Sequence, residues 1–178
     1  MIHVSKTDLS IVVYVLECPG LLGIGGKLWD SSLILTKFLH QTSSGHFLEN
    51  RKLVELGSGT GLVGISLGLL PSLPSSVILT DIEEVVPLIA ANIKLNSILN
   101  CRNNTSILSS CTHMWGDSFL PHELRKCELI IGSDIIYDPI GYSPLVASIR
   151  NIMDGSSSSQ RHLIAIIAHR HRNPDDYK

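Results

Sequence analysis

The chain has 178 residues, 44% of them apolar, a formal net charge of −2 and an isoelectric point near 6.4. That length suits one domain able to bury a core without staples, and the charge argues against a broad phosphate-binding face and so against a nucleic-acid partner. Cys18, Cys101, Cys111 and Cys127 lack C-x-x-C spacing, so they read as reduced core cysteines, not a zinc site or redox pair.

The apolar stretch IVVYVLECPGLLGIGG (11–26) carries Glu17 and Pro19 and lacks a basic flank, so it fits neither a signal peptide nor a bilayer span. A soluble, intracellular protein without a membrane partner is expected, in the cytoplasm with the nucleus also open. Within that stretch 11–16 reads as a strand, closed by Pro19 and Gly20. Residues 1–28 are expected to pack as an extension on a single domain spanning 1–178.

Trp29 and Asp30 open the first predicted helix, with Asp30 as its cap and Ile34, Leu35, Phe38 and Leu39 as its stripe. It fades at the polar cluster 42–45. KLVEL (52–56) has no clean alternation, as befits a strand covered on both faces. After a glycine turn, LVGISLGLL (62–70) is apolar all round and ends at Pro71, so it reads as a buried helix. SVILTD (76–81) is a further strand. The next helix has Pro87 in its first turn, where a missing N–H costs nothing, and Val86, Ile89, Ala90 and Ile93 on its inner face. TSIL (105–108) is a weak strand and CELIIGSD (127–134) a strong one. Ser143 and Pro144 make an N-cap and N1 pair for a helix with the stripe Leu145, Ile149 and Ile152, ended by Gly155. SSSSQ (156–160) is a polar loop and HLIAIIA (162–168) a buried strand. Asn173, Pro174 and two acids then announce a helix at which the chain stops.

This order describes an α/β domain: a doubly wound, mostly parallel sheet with helices on both faces. Ligands in such sheets sit outside the carboxyl ends of the strands. Functional residues are therefore sought at 57–61, at Asp81, at 133–137 and at 169–172.

Two glycine patterns overlap after KLVEL. Gly59, Gly61 and Gly64 spell the dinucleotide fingerprint G-x-G-x-x-G, which keeps an NAD(P)-dependent oxidoreductase in play. Glu55, Gly57, Gly59 and Gly61 spell acid-x-G-x-G-x-G. The turn glycine should follow the strand at once, which favours Gly57. A diphosphate is disfavoured beside the Glu55 carboxylate, whereas a cationic ligand is favoured. Asp81 ends its strand where a carboxylate can accept bonds from both ribose hydroxyls, or can cap the helix after it. A ribose acceptor points to a nucleoside and leaves the chemistry open.

GGKLWDSSLILTKFL, VELGSGTGLVGI, TDIEEVVPLIAANIKLN, MWGD and GSDIIYD follow one another over most of 25–153. In that order and spacing they resemble the class I, seven-strand S-adenosylmethionine-dependent methyltransferases. More closely, the set resembles methyltransferase family 16, a group of protein-lysine methyltransferases that includes enzymes acting on chaperones and on a AAA ATPase. The resemblance implies a Rossmann-like methyltransferase fold, S-adenosyl-L-methionine as cofactor and a protein substrate of chaperone or AAA ATPase type. It implies that Trp29 and Trp115 pack around the cofactor, with Gly57, Ser58 and Gly59 at its amino-acid part. Asp81 would meet its ribose and Ser133 would lie beside it. Asp134 and Tyr137 would be the family's D-x-x-Y pair at the acceptor pocket. The family pattern runs past 178 to complete a helix and an antiparallel hairpin, so a C-terminally short form is expected, with 162–168 an exposed edge strand.

Methyl transfer from a sulfonium to an amine is an in-line displacement, and the enzyme must hold a neutral nitrogen about 3 Å from the methyl carbon. Lysine arrives protonated, and burial beside the cofactor's positive charge lowers its pKa. Asp134 would accept a hydrogen bond from the amine, while Tyr137 would offer a ring face or a hydroxyl. The competing reading makes Asp134 a turn cap and Tyr137 a core ring. The expected activity is a protein-lysine N-methyltransferase, with histidine left open as the acceptor. The alternatives are the oxidoreductase and a non-catalytic, methyltransferase-like interaction module. Isoleucines between Asp134 and Tyr137, with the acidic isoelectric point, argue against the methyltransferases of nucleic-acid bases, which carry two prolines there. His169 and His171 are two ligands without a third at ligating spacing, so no metal is expected.

Overall fold

The computed structural model describes residues 2–6, 9–42, 47–70, 74–100, 106–155 and 163–170. An antiparallel hairpin of β1 (Ile2–Lys6) and β2 (Leu9–Val13) comes first, then a short helix α1 (Pro19–Leu22), a 3₁₀ turn (Gly23–Gly26) and helix α2 (Asp30–Thr42). The domain proper alternates β3 (Lys52–Leu56), α3 (Leu62–Gly68), β4 (Ser76–Asp81), α4 (Val86–Leu99), β5 (Leu108–Thr112), β6 (Leu129–Ser133), α5 (Pro139–Gly155) and β7 (Ile164–Ala168). The last five strands form one parallel sheet in the order β5-β4-β3-β6-β7. The doubly wound α/β fold is the one expected.

Side chains alternate across the central strands, and each face has its own helices. Leu53, Val77, Leu79, Leu129 and Ile131 pack with α2, α3 and α4, where Leu35, Leu39, Ile65 and Ile89 are buried. Val54, Leu56, Ile78 and Ile130 pack against Leu145 and Ile152 of α5. Burial on both faces explains the unbroken apolar runs, and each such side chain contributes about 2 kcal/mol of transfer free energy. Ile11 and Val13 of β2 join the larger cluster. The backbone after β2 is tied to α4 by two amides. Asn92 accepts from the Leu16 N–H (2.8 Å) and donates to its carbonyl (3.1 Å). Asn96 does the same with Tyr14 (2.9 and 2.7 Å).

Several local expectations are corrected. On α2 only half of the predicted stripe is inside: Leu35 and Leu39 are buried, whereas Ile34 and Phe38 are exposed, and Ser31, Ser32, Thr36 and His40 complete the inner face. Asp30 does not act as the cap; it stands in the first turn with its carboxylate on the Arg170 guanidinium. The inner face of α4 is Ile89, Asn92 and Asn96, with Ala90 exposed, because the helix packs on hydrogen-bonding backbone as well as on apolar groups. The weak strand is β5, which starts at Leu108 where the prediction ended. As an edge strand it needs no apolar run, and LSSCT has none. α5 starts at Pro139, five residues before the predicted Pro144. The Asp138 carboxylate caps it through the Ile140 N–H (3.0 Å), and Pro144 is carried inside. Hairpin strand β1 had no signal in the sequence. The loop 156–160 and the helix announced at Asn173 lie outside the described residues. Among the described residues β7 is the outer strand beside β6, partly exposed, and no helix is long and apolar enough to cross a membrane.

Candidate active site

The carboxyl ends of β3, β4, β5 and β6 open on one cavity of about 430 Å³, a size typical of small-molecule and cofactor sites. It lies where the chain order reverses, with β4 and β5 on one side of β3 and β6 on the other. Trp29, Gly57, Ser58, Gly59 and Asp81 line one wall. Trp115, Ser133, Asp134 and Tyr137 line the other, so the structure brings every predicted site residue to one cavity.

The first wall is built by a turn that L-residues would resist. Gly57 follows β3 directly with φ +60°, as the acid-x-G-x-G-x-G pattern requires, and Gly59 has φ +55°. A Cβ on Gly57 would lie 2.8 Å from Ile135 and 3.0 Å from the Trp115 ring, so the ring closes directly on the backbone. Ser58 knots β3 to β4: its N–H donates to the Thr80 carbonyl (2.9 Å) and its Oγ accepts from the Thr80 N–H (3.1 Å). Asp81 accepts from the Gly59 N–H through Oδ2 (2.8 Å) and from the Ile82 N–H through Oδ1 (2.9 Å). Burial raises its pKa, and those two bonds oppose the rise. Each carboxylate oxygen keeps a second lone pair, so the turn bonds and a ribose diol are compatible. Asp81 does not cap a helix, since α4 starts only at Val86.

Glu55 is not part of the cavity, against the expectation that it faces a cationic ligand. It points to the α3 side of the sheet, fully buried, and accepts from the Gly64 N–H in the first turn of α3 (2.9 Å). Gly64 must be glycine for this, because a Cβ there would stand 2.7 Å from the carboxylate. Burial pushes the Glu55 carboxyl up to about 8, partly offset by the bonds from Gly64 and Ser58.

On the second wall Asp134 has φ +59° and is 7% exposed. Its N–H donates to the Ala168 carbonyl (2.8 Å), its Oδ1 accepts from the Arg170 N–H (3.4 Å), and the His169 Nδ1 lies 3.8 Å from that oxygen. The end of β7 therefore holds Asp134 at a positive φ, a backbone conformation that few residues other than glycine, asparagine and aspartate adopt. Tyr137 is 52% exposed, which rules out the core-ring reading; its ring lies 6.5 Å from that of Trp115, tilted by 55°. Burial, with Asp81 and Asp138, raises the phenol pKa, so the hydroxyl stays protonated. On the opposite rim the Trp29 indole donates to the Ile24 carbonyl (3.0 Å) and carries the Lys27 ammonium 4.8 Å over its ring.

Among the lining residues that the sequence did not single out, His113 and Lys27 carry ionisable side chains. His113 follows β5 directly, the position the strand-end rule inspects, and the misplaced strand hid it. Its N–H donates to the Asp81 carbonyl (2.9 Å) and its Nε2 lies 3.0 Å from Ser148 Oγ. Burial lowers its pKa, so the ring is neutral at neutral pH. Lys27 had no sequence signal beyond its place in GGKLWD. Of the segment 169–172, Arg170 pairs with Asp30 and His169 lies near Asp134; residues 171 and 172 lie outside the described residues. Among the described residues no cluster of three metal-binding side chains occurs.

A family model described as lysine methyltransferase matches residues 11–178. The protein-lysine N-methyltransferase EFM6 of Saccharomyces cerevisiae is 30% identical over 76% of this chain and 63% of its own length. The protein N-lysine methyltransferase METTL21A of Danio rerio is 30% identical over 76% of this chain and 59% of its own. The chain thus spans about three fifths of these relatives. Among solved structures, the methyltransferase domain of bacterial CtHen1-C superposes with a TM-score of 0.55 at 13% identity, covering 76% of this chain and 65% of that one, a likeness of fold alone.

Proposed function

The chain belongs to the lysine methyltransferase family, and from that premise we propose that it transfers a methyl group from S-adenosyl-L-methionine to a protein side-chain nitrogen, that of lysine. The observation that carries this reading is the single cavity shared by a nucleoside-type carboxylate, Asp81, and the Asp134–Tyr137 couple. S-adenosyl-L-methionine, when bound, supplies an electrophilic methyl on a sulfonium. The residues present suit that group: a glycine turn with no side chain between its backbone and the cavity, a ribose acceptor, carboxylates to balance positive charge and aromatic rings to exclude water. The dinucleotide alternative is not favoured, because the family match and the placement of Gly57 point the other way.

The side chains divide the work. Asp81 accepts from the ribose hydroxyls, while the 57–59 backbone faces the amino-acid part. Trp29 and Trp115 cover the cavity. Asp134, already fixed by the end of β7, accepts a hydrogen bond from the incoming amine and directs its lone pair inward. Tyr137, exposed at the mouth, contacts the lysine stem through its ring or the nitrogen through its hydroxyl. The partner is a protein presenting an accessible lysine, of the chaperone or AAA ATPase type that the family resemblance implies.

Equilibrium binding tests the reading: S-adenosylhomocysteine is expected to bind and to raise the melting temperature, and NADH to do neither. Labelled methyl donor with a cell extract, followed by mass-spectrometric site mapping, should then place the label on lysine. An unshifted melt at about 1 mM S-adenosylhomocysteine would instead support the non-catalytic interaction module.

A further inference from the structure

Resting on the methyl-donor reading, we infer that Lys27 is the carboxylate-binding residue of the cavity, its ammonium pairing with the α-carboxylate of the donor's methionine end. S-adenosyl-L-methionine carries two positive groups, a sulfonium and an ammonium, and one negative group. The carboxylates of Asp81 and Asp134 give the cavity wall a negative potential that suits the positive groups without pairing with either. Against the negative one, Lys27 is the only lysine or arginine among the described lining residues. His113, the other basic side chain there, is buried and held neutral.

Lys27 is also in the right part of the cavity. It belongs to the 24–29 segment, which closes on the glycine turn: a Cβ on Gly59 would lie 3.2 Å from the Gly25 carbonyl oxygen. The indole of Trp29 pins that segment through its bond to the Ile24 carbonyl, and the same ring holds the Lys27 ammonium over its face. No carboxylate among the described residues pairs with that ammonium. The N-terminal turn of α2 adds to the positive potential, since Ser32 of that turn lines the cavity and the Asp30 charge beside it is balanced by Arg170. A cation held over a ring beside the glycine turn, without an acid of its own, is poised for an anionic group of the ligand.

The test compares two ligands on two proteins. S-adenosylhomocysteine carries the carboxylate; S-adenosyl-3-thiopropylamine is the same molecule without it. Lys27→Met keeps an unbranched side chain of similar length and removes the charge. By calorimetry the variant is expected to bind S-adenosylhomocysteine about tenfold more weakly and the decarboxylated analogue as well as the wild type does. Equal weakening of both ligands would overturn the inference, since Lys27 would then only shape the wall. Unchanged binding of both would overturn it as well. If the wild type binds neither ligand, the methyl-donor reading itself fails, and the inference with it.

Discussion

The two walls of the cavity are built on opposite principles. On the glycine-turn wall, hydrogen bonds made within the protein set nearly every group: Asp81 is bound to two backbone amides and Ser58 joins two strands. On the wall of Asp134 and Tyr137 one carboxylate is held in a left-handed backbone conformation, and the ring beside it stands half in solvent. The first wall is preorganised and can recognise a small, invariant ligand without moving. The second fixes one direction, that of Asp134, and leaves the remaining contacts to the partner that arrives.

If that division is right, substitutions on the two walls should separate binding from turnover. Asp134→Ala is expected to have the largest effect, a loss of about a hundredfold or more in methyl transfer with S-adenosylhomocysteine affinity kept within about threefold. Retained turnover would remove Asp134 from the acceptor role. Asp81→Ala should do the reverse and weaken S-adenosylhomocysteine by about 10- to 100-fold, the worth of one or two bonds to a charged acceptor. Were Asp81 only a turn cap, the ligand-free melting temperature would fall and the affinity would hold.

The smallest effect lies behind the first wall. The Glu55 carboxyl is raised from 4.5 to about 8 in the fold, so its contribution to stability is full below about pH 4.5 and is lost as pH rises through about 8. Glu55→Gln can still accept from Gly64 and has no charge to bury. The wild-type melting temperature should therefore drop, relative to the variant, by on the order of 10 °C between about pH 5 and pH 9. Parallel pH curves for the two proteins would show that Glu55 is not the group that titrates.

Sequence reading found the walls more reliably than it found the helix faces. The glycine turn, Asp81 and the Asp134–Tyr137 couple announce themselves because each sits at a strand end and each strand is an apolar run. His113 was lost with its strand, because an edge strand such as β5 can be polar. Lys27 was lost because a cation at a cavity rim has no periodicity.

By itself the amino-acid order determined the alternation of strands and helices, the parallel sheet, the family resemblance and the strand-end positions that line the cavity. These follow from local properties: apolar periodicity, glycines at forced turns, residues at strand ends. Only the tertiary structure decided that Glu55 turns away from the cavity, that Asn92 and Asn96 face inward and that Asp134 is held by the end of β7. Those outcomes depend on which surfaces meet across long sequence distances, and no local pattern encodes them.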